Sequence, residues 1–323
     1  PWLCEHGVKT MGCGRAFTVL VTNHDRVVAF GCNYSGQLGL EESSSSSGDV
    51  ASSKFECSEP VGDGSVNIVK VACGTEHSLL LTSDGRVMCA GSVRYSAVRL
   101  GDNVPGYGGW RWFQKFDTGV PFVTDIACGL FFSCFLVENT DVYLCGFNRG
   151  IGTMYEEPTR IFRASDVGSQ GIKCLACAGR TIVVLTEESE LYMCGEMLHG
   201  FDAKQEMTHI SYASLGIPPI DIRQIACGES HLLLTTAENQ VYVSGDDSFG
   251  QLGESVRRSK SGVLAGPLVQ FNDEVARDRR QIAQISCGAY FSVIMLRNVV
   301  RNGRLWQICQ RQQLTDVVII THQ

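Results

Sequence analysis

The sequence predicts an all-β protein, a β-propeller of about six four-stranded antiparallel blades with seven as the alternative, and three observations carry that expectation. A Cys-Gly pair, once Cys-Ala-Gly, recurs at Cys13, Cys73, Cys128, Cys177, Cys227 and Cys287. In the first five copies a glycine follows 18 residues later, at Gly31, Gly91, Gly146, Gly195 and Gly245. With 35 glycines in 323 residues, five such coincidences have a chance probability on the order of one in 10^5, and self-similarity at such a period marks a propeller or a solenoid. The third observation is that the apolar runs between these marks are short and bounded by glycine and polar turn residues, which suits buried strands rather than helices.

Each element of the repeat follows in order. The sixth to eighth residues after each cysteine read Val19-Leu20-Val21, Leu79-Leu80-Leu81, Cys134-Phe135-Leu136, Val183-Val184-Leu185, Leu233-Leu234-Thr235 and Val293-Ile294-Met295. A turn comes next, explicit at Ser83-Asp84-Gly85, where glycine takes positive φ at little steric cost. The chain returns through 27–30, 87–90, 142–145, 191–194 and 241–244, so each repeat holds at least a hairpin. A polar stretch of variable length and a further apolar strand, such as 68–72, 122–127 or 222–226, lead to the next cysteine. A lone hairpin cannot bury both faces, so the repeats must pack on one another, and closing the stack into a ring leaves only short edges exposed. Helix is expected to be minor and confined to loops such as 273–283.

Two stretches, Gly31-Cys32-Asn33-Tyr34-Ser35-Gly36-Gln37-Leu38-Gly39 and Gly245-Asp246-Asp247-Ser248-Phe249-Gly250-Gln251-Leu252-Gly253, stand beside Ala72-Cys73-Gly74-Thr75-Glu76-His77-Ser78 and Ala226-Cys227-Gly228-Glu229-Ser230-His231. Together they resemble the regulator of chromosome condensation repeat, over residues 8 to 309. The resemblance implies a propeller of seven blades, and the family's best-known activity, guanine-nucleotide exchange on a Ran-type small GTPase with nucleosome docking. The middle repeats depart from the pattern: the Gly-Gln-Leu-Gly tail is absent from 94–101, 148–153 and 197–200. In the sixth repeat an insertion near 298–301 places Cys309 where the second-strand glycine belongs. The terminal run 314–321 reads either as a strand sealing the ring with 2–11 or as the start of a seventh repeat.

Because the repeats span nearly the whole chain, 1–323 is expected to be one propeller domain, with variable loops near 40–66, 101–120 and 254–281. Beginning at Pro1 rather than Met, it is expected to be a processed form or a portion of a longer protein whose flanking domains are candidates for activity. The 15 cysteines are odd in number and mostly at repeat or strand positions, where a thiol behaves as a small hydrophobe. Reduced thiols and an intracellular setting are expected: cytoplasmic, organelle- or cytoskeleton-associated, with the nucleus as a further site. No apolar run reaches the roughly 18 residues of a membrane span. A net charge of −7 and a pI near 5.5 disfavour direct nucleic-acid binding.

The reactive motifs have bland readings. Cys174-Leu175-Ala176-Cys177 offers half a tetrahedral metal site and places Cys177 inside a strand, so core packing is expected. His77 and His231 occupy the position filled elsewhere by Phe17, Phe132 and Phe291, so they are read as packed histidines with one satisfied nitrogen. There is no phosphate-cradling Gly-x-x-x-x-Gly-Lys, no His-Glu-x-x-His and no nucleophile-elbow serine. No catalytic residue, cofactor or metal is expected.

The loops after the second strand of each hairpin carry Tyr34, Arg94, Tyr95, Asn148, Arg149 and Phe249 at comparable repeat positions, and 105–116 adds Trp110 and Trp112 in a glycine-rich setting. Aromatic residues and arginine are the usual interface anchors. These eight residues are the candidate partner-binding set. The expected function is a noncatalytic propeller scaffold mediating protein-protein interactions within a larger intracellular assembly, with exchange on a Ran-type GTPase as the alternative.

Overall fold

The computed structural model describes residues 8–39, 51–57, 67–92, 111–112, 122–196, 204–215, 217–246, 252, 263–270, 281–288, 292–297 and 317–322. Their strands form six sheets, one per repeat. The chain divides into two compact units, Pro1–Leu175 and Ala176–Gln323.

In the first unit, blade 1 is β1 (Val8–Cys13), β2 (Phe17–Thr22), β3 (Val27–Cys32) and β4 (Ala51–Cys57). Blade 2 is β5 (Ile68–Cys73), β6 (His77–Thr82), β7 (Val87–Gly91) and β8 (Arg111–Trp112), and blade 3 is β9 (Val123–Cys128), β10 (Phe132–Val137), β11 (Asp141–Asn148) and β12 (Thr153–Arg163). Blade 4, whose first strand crosses the boundary, is β13 (Ile172–Ala178), β14 (Thr181–Thr186), β15 (Leu191–Gly195) and β16 (Lys204–Ile210). The second unit continues with blade 5, β17 (Ile222–Cys227), β18 (His231–Thr236), β19 (Val241–Asp246) and β20 (Val263–Gln270). Blade 6 has three strands, β21 (Gln281–Cys287), β22 (Ser292–Arg297) and β23 (Val317–His322). The first five sheets are four-stranded meanders in sequence order.

Two expectations change on contact with the structure. The terminal strand β23 lies parallel to β22, from Ser292 opposite Val317 to Arg297 opposite His322, while β1 is paired with β2. Residues 281–283 are strand rather than helix, and 273–280 lie outside the described residues; among the described residues the helical element is a 3-10 turn, Ala164–Val167.

The 18-residue spacing has a direct cause. The residue four after each repeat cysteine opens the second strand, and its cross-strand partner is the repeat glycine: Phe17 with Gly31, His77 with Gly91, Phe132 with Gly146, Thr181 with Gly195, and His231 with Gly245. These glycines hold φ between 101° and 120°, which L side chains rarely adopt. A Cβ on Gly91 would also stand 2.2 Å from the Glu76 carbonyl oxygen.

The glycine directly after the cysteine is fixed by a different contact. At Gly14, Gly74, Gly129 and Gly228 a Cβ would fall 2.1–2.2 Å from the ring of Phe17, His77, Phe132 or His231. At Gly14, Gly74 and Gly228 it would also meet the carbonyl of the corresponding glycine of the next blade at 2.6–2.7 Å. The Cys-Gly pair is thus a point where neighbouring backbones nearly touch, and the cysteines pack beside it. Cys73 joins the apolar cluster of Phe17, Val19, Val71, Leu80 and Met88 between blades 1 and 2, and Cys128 and Cys287 do the same in their blades.

At their far ends five blades carry a bulge in the first strand, and two are tied to the next blade by a turn side chain. In β1, β5, β9, β17 and β21 the register slips around the residue four before the cysteine: Lys9, Val69, Thr124, Arg223 and Ala283. A bulge of this kind turns one side chain out of the ladder and sharpens the twist. The hairpin turns place Asp25 and Asn239 at φ 56° and 64°, and each side-chain oxygen accepts a bond from the first strand of the next blade, from the Ile68 and Ile282 N–H groups at 3.0 and 2.6 Å.

Candidate functional site

In the first five blades antiparallel order places two connections at the same end: the short turn after the repeat cysteine and the long loop after the third strand. In blade 1 the loop begins with Asn33, whose Oδ1 accepts the Leu38 N–H at 2.9 Å. The Gln37 Oε1 accepts the Ser35 N–H at 2.9 Å, and the Ser78 hydroxyl of blade 2 donates to the Gln37 carbonyl. Leu38 is fully buried in the blade 1–blade 2 cluster. The Gly-Gln-Leu-Gly signature is therefore a hook, with leucine as its barb, and Leu252 is buried in the same way against blades 5 and 6. Tyr34 rides on the hook, 67% exposed.

Blade 3 lacks the signature and builds an equivalent loop from other residues. Asn148 stands where Asn33 does, 20 residues after its cysteine, and its Oδ1 accepts the Gly150 and Ile151 N–H groups at 2.9 and 3.3 Å. Ile151 is buried in the manner of Leu38, and the Gly152 N–H closes the turn on the Asn148 carbonyl at 2.9 Å. Asn148 itself is wholly buried, so it shapes the loop and offers no side chain to a partner. Arg149, in the place of Tyr34, is exposed.

Among the other candidates, Trp112 lies on β8 opposite Met88. Arg94, Tyr95, Trp110 and Phe249 lie outside the described residues. The structure thus places Tyr34 and Arg149 at the same repeat position on the loop ends of two blades of one unit.

The two repeat-position histidines are buried between blades. His77 is buried, its Nε2 is 3.2 Å from the Ser133 hydroxyl of the next blade, and desolvation lowers its pKa from 6.5 to about 4 despite a bond with the Phe132 backbone. His231 repeats the contact with Ser292 at 3.0 Å. Cys13, Cys32, Cys73, Cys177 and Cys194 are not disulfide-bonded. Burial raises the pKa of Cys13 and raises that of Cys73 further, with Cys128 and Cys13 adding to it, while Cys194 is pushed up to about 12 by burial and Cys177. Such thiols are poor nucleophiles. Among the described residues no group of three or more His, Cys, Asp or Glu side chains could hold a metal ion, and no helix is long and apolar enough to cross a membrane.

The sequence reading missed a row of side chains on blade 3. The Phe147 N–H donates to the Phe131 carbonyl at 2.9 Å, extending the β10–β11 ladder by one step, and Phe147 is the cross-strand partner of Met154. Cross-strand partners share a face of the sheet, so Phe131, Phe147 and Met154 run side by side at the loop end. The two phenylalanines are partly exposed and Met154 is 46% exposed. Aligning the third and nineteenth residues after each cysteine would have found the pair: Ala16 and Cys32, Glu76 and Ser92, Phe131 and Phe147, Arg180 and Glu196, Ser230 and Asp246.

Comparison with known proteins agrees with the repeat geometry. The model of the regulator of chromosome condensation (RCC1) repeat matches residues 8–37, 68–94 and 222–251. The chain is 24% identical over 286 residues to the probable E3 ubiquitin-protein ligase HERC6 of Homo sapiens, covering 88% of this chain and 22% of that protein. It is 27% identical over 269 residues to the ultraviolet-B receptor UVR8 of Arabidopsis thaliana, covering 80% of this chain and 58% of that one. It thus spans less than two thirds of either relative. Yeast RCC1 (Prp20), solved bound to Kap60, superposes with a TM-score of 0.68 at 18% identity over 91% of this chain and 69% of that one. The match to the repeat model, the recurring cysteine-glycine geometry and the shared fold lead to one statement: this chain carries regulator of chromosome condensation repeats and has the β-propeller fold that yeast RCC1 also shows.

Proposed function

We propose that this propeller is a noncatalytic scaffold that docks protein partners on the loop ends of its blades, within a larger assembly. The observation that carries the reading is Tyr34: a large aromatic left 67% exposed on a turn that Asn33, Gln37 and buried Leu38 lock in place. A rigid aromatic gives contact area at little entropic cost, and such anchors contribute about 2 kcal/mol or more to protein interfaces. Arg149 is presented in the same way. Arg94, Tyr95, Trp110, Trp112 and Phe249 belong to the proposed surface by their places in the sequence. The neutral, buried His77 and the raised thiols give no support to a reactive centre.

The test is affinity purification of the tagged chain from native cells beside Tyr34→Ala and the double variant Trp110→Ala, Trp112→Ala, with thermal unfolding as the folding control. A stable set of co-purifying proteins, depleted at least several-fold by a variant that melts as the parent does, supports the scaffold. A nucleotide-free small GTPase as the sole partner, together with accelerated release of labelled GDP, replaces it with nucleotide exchange.

A further inference from the structure

We infer that the loop end of blade 3 is a distinct docking row for a protein segment that carries apolar side chains beside an Asp or Glu. The inference rests on the scaffold reading and assigns one of its contact sites and the chemistry of the partner there.

The repeats supply their own control, because the same row can be read in five blades. Blade 1 fills it with Ala16, Cys32 and Ala51, joined by the Cys32 N–H to the Ala16 carbonyl and by the Cys32–Ala51 pairing. Blade 2 uses Glu76 and Ser92, and in blade 4 the two places hold an ion pair between Arg180 and Glu196. In blade 5 the sequence places Ser230 and Asp246 there, and the backbone of Asp246 pairs with that of Val263. Only blade 3, among these rows, puts two phenylalanines and a methionine side by side, and it leaves Met154 46% exposed. Apolar side chains in the β-sheet core of blade 3 are buried to within a few per cent, as Phe132 and Phe135 are, whereas this row is partly exposed. Aromatic residues and methionine are enriched at the centre of protein interfaces, where burying their area is favourable.

Charge selects the partner. Arg149 stands two residues beyond Phe147 on the turn that Asn148 and Ile151 hold fixed. It is exposed and has no ion-pair partner among the described residues. A guanidinium at the margin of an apolar strip forms its strongest contact with a carboxylate, in bidentate geometry. The preformed turn removes much of the cost of ordering the arginine's backbone.

The experiment uses the whole chain labelled with 13C at its methionine methyl groups, the Met154 signal being assigned with Met154→Leu. Two synthetic peptides are titrated, one alternating Leu and Phe with Asp, the other identical but with Lys for Asp, and vesicles containing phosphatidylserine form a third arm. The expected result is a saturable shift of the Met154 methyl with the Asp peptide and at least fivefold weaker binding in Arg149→Glu, whose thermal unfolding matches the parent. The charge-reversed variant should prefer the Lys peptide. No Met154 shift, equal binding of both peptides, or a response to vesicles alone overturns the inference. If native partners are lost with Tyr34→Ala and kept with Arg149→Glu and Met154→Ala, the scaffold stands without this row; if no partner is captured by any form, the scaffold reading itself fails.

Discussion

Gly74 has no side chain because two different neighbours occupy the space a Cβ would fill. The His77 ring, at 2.2 Å, could swing aside, but the Gly129 carbonyl oxygen of the next blade, at 2.7 Å, is backbone and cannot. Gly74→Ala should therefore cost about 2–3 kcal/mol, typical of overpacking in a close-packed site. Gly152 is the control: its Cβ would meet nothing within 4 Å, so only its φ of +79° opposes alanine, and the cost should be about 1 kcal/mol. Denaturant unfolding of the two variants checks the order. His77 gives a pH signature. Its folded pKa of about 4 lies below the unfolded 6.5, so between these values the unfolded chain binds the extra proton and stability rises with pH. The full contribution, about 3 kcal/mol from a gap of that size, is present above pH 6.5 and is lost as the pH falls toward 4. In His77→Phe, which installs the residue of blades 1 and 3, that part of the slope should vanish; an unchanged slope assigns it to other groups.

At the scale of the element, the hook of blade 1 is an inter-blade fastening. Leu38 packs among Val19, Val71 and Leu80, and the Asn33 and Gln37 side chains bind the turn's own N–H groups. Leu38→Ala should cost about 2–5 kcal/mol, the range for a large buried side chain whose cavity cannot fully collapse. Ile151→Ala in blade 3 should lie at the lower end of that range, since Ile151 is 6% exposed where Leu38 is wholly buried. Equilibrium unfolding measures both, and a Leu38→Ala cost below about 1 kcal/mol would show that the hook is not a fastening. The conserved geometry of the turn also explains why a loop with only isoleucine in place of the signature still presents an exposed residue at the Tyr34 position.

On the scale of the whole molecule, the cysteines behave as core residues. The Cys194 thiol, pushed up to about 12, and the Cys73 thiol, raised well above its ordinary value by burial, carry little thiolate at pH 8. Iodoacetamide at that pH should leave both unmodified in the native protein, whereas in denaturant all 15 cysteines of the chain should react. Rapid native labelling of Cys73 or Cys194 would place them in an open site and contradict their packing.

The sequence by itself determined the repeat, its strands and the identity of the positions that matter most to the backbone. Cysteine to glycine at 18 residues is legible because the close approach of strands and a φ near 110° admit no other residue, so the spacing recurs wherever the geometry does. The exposed places of Tyr34 and Arg149 were legible for the same reason, through their fixed offset from that glycine. Tertiary structure alone decided the rest. Asn148 looks like a loop polar residue, and only the two N–H groups folded onto its Oδ1 make it a buried brace. Ile151 replaces the Gly-Gln-Leu-Gly hook without resembling it, because burial needs an apolar volume in place and not a motif. The pairing of β23 in parallel with β22 joins segments about 25 residues apart, and no local pattern encodes strand direction. Phe131, Phe147 and Met154 are scattered in the chain and become one surface only when three strands set them side by side.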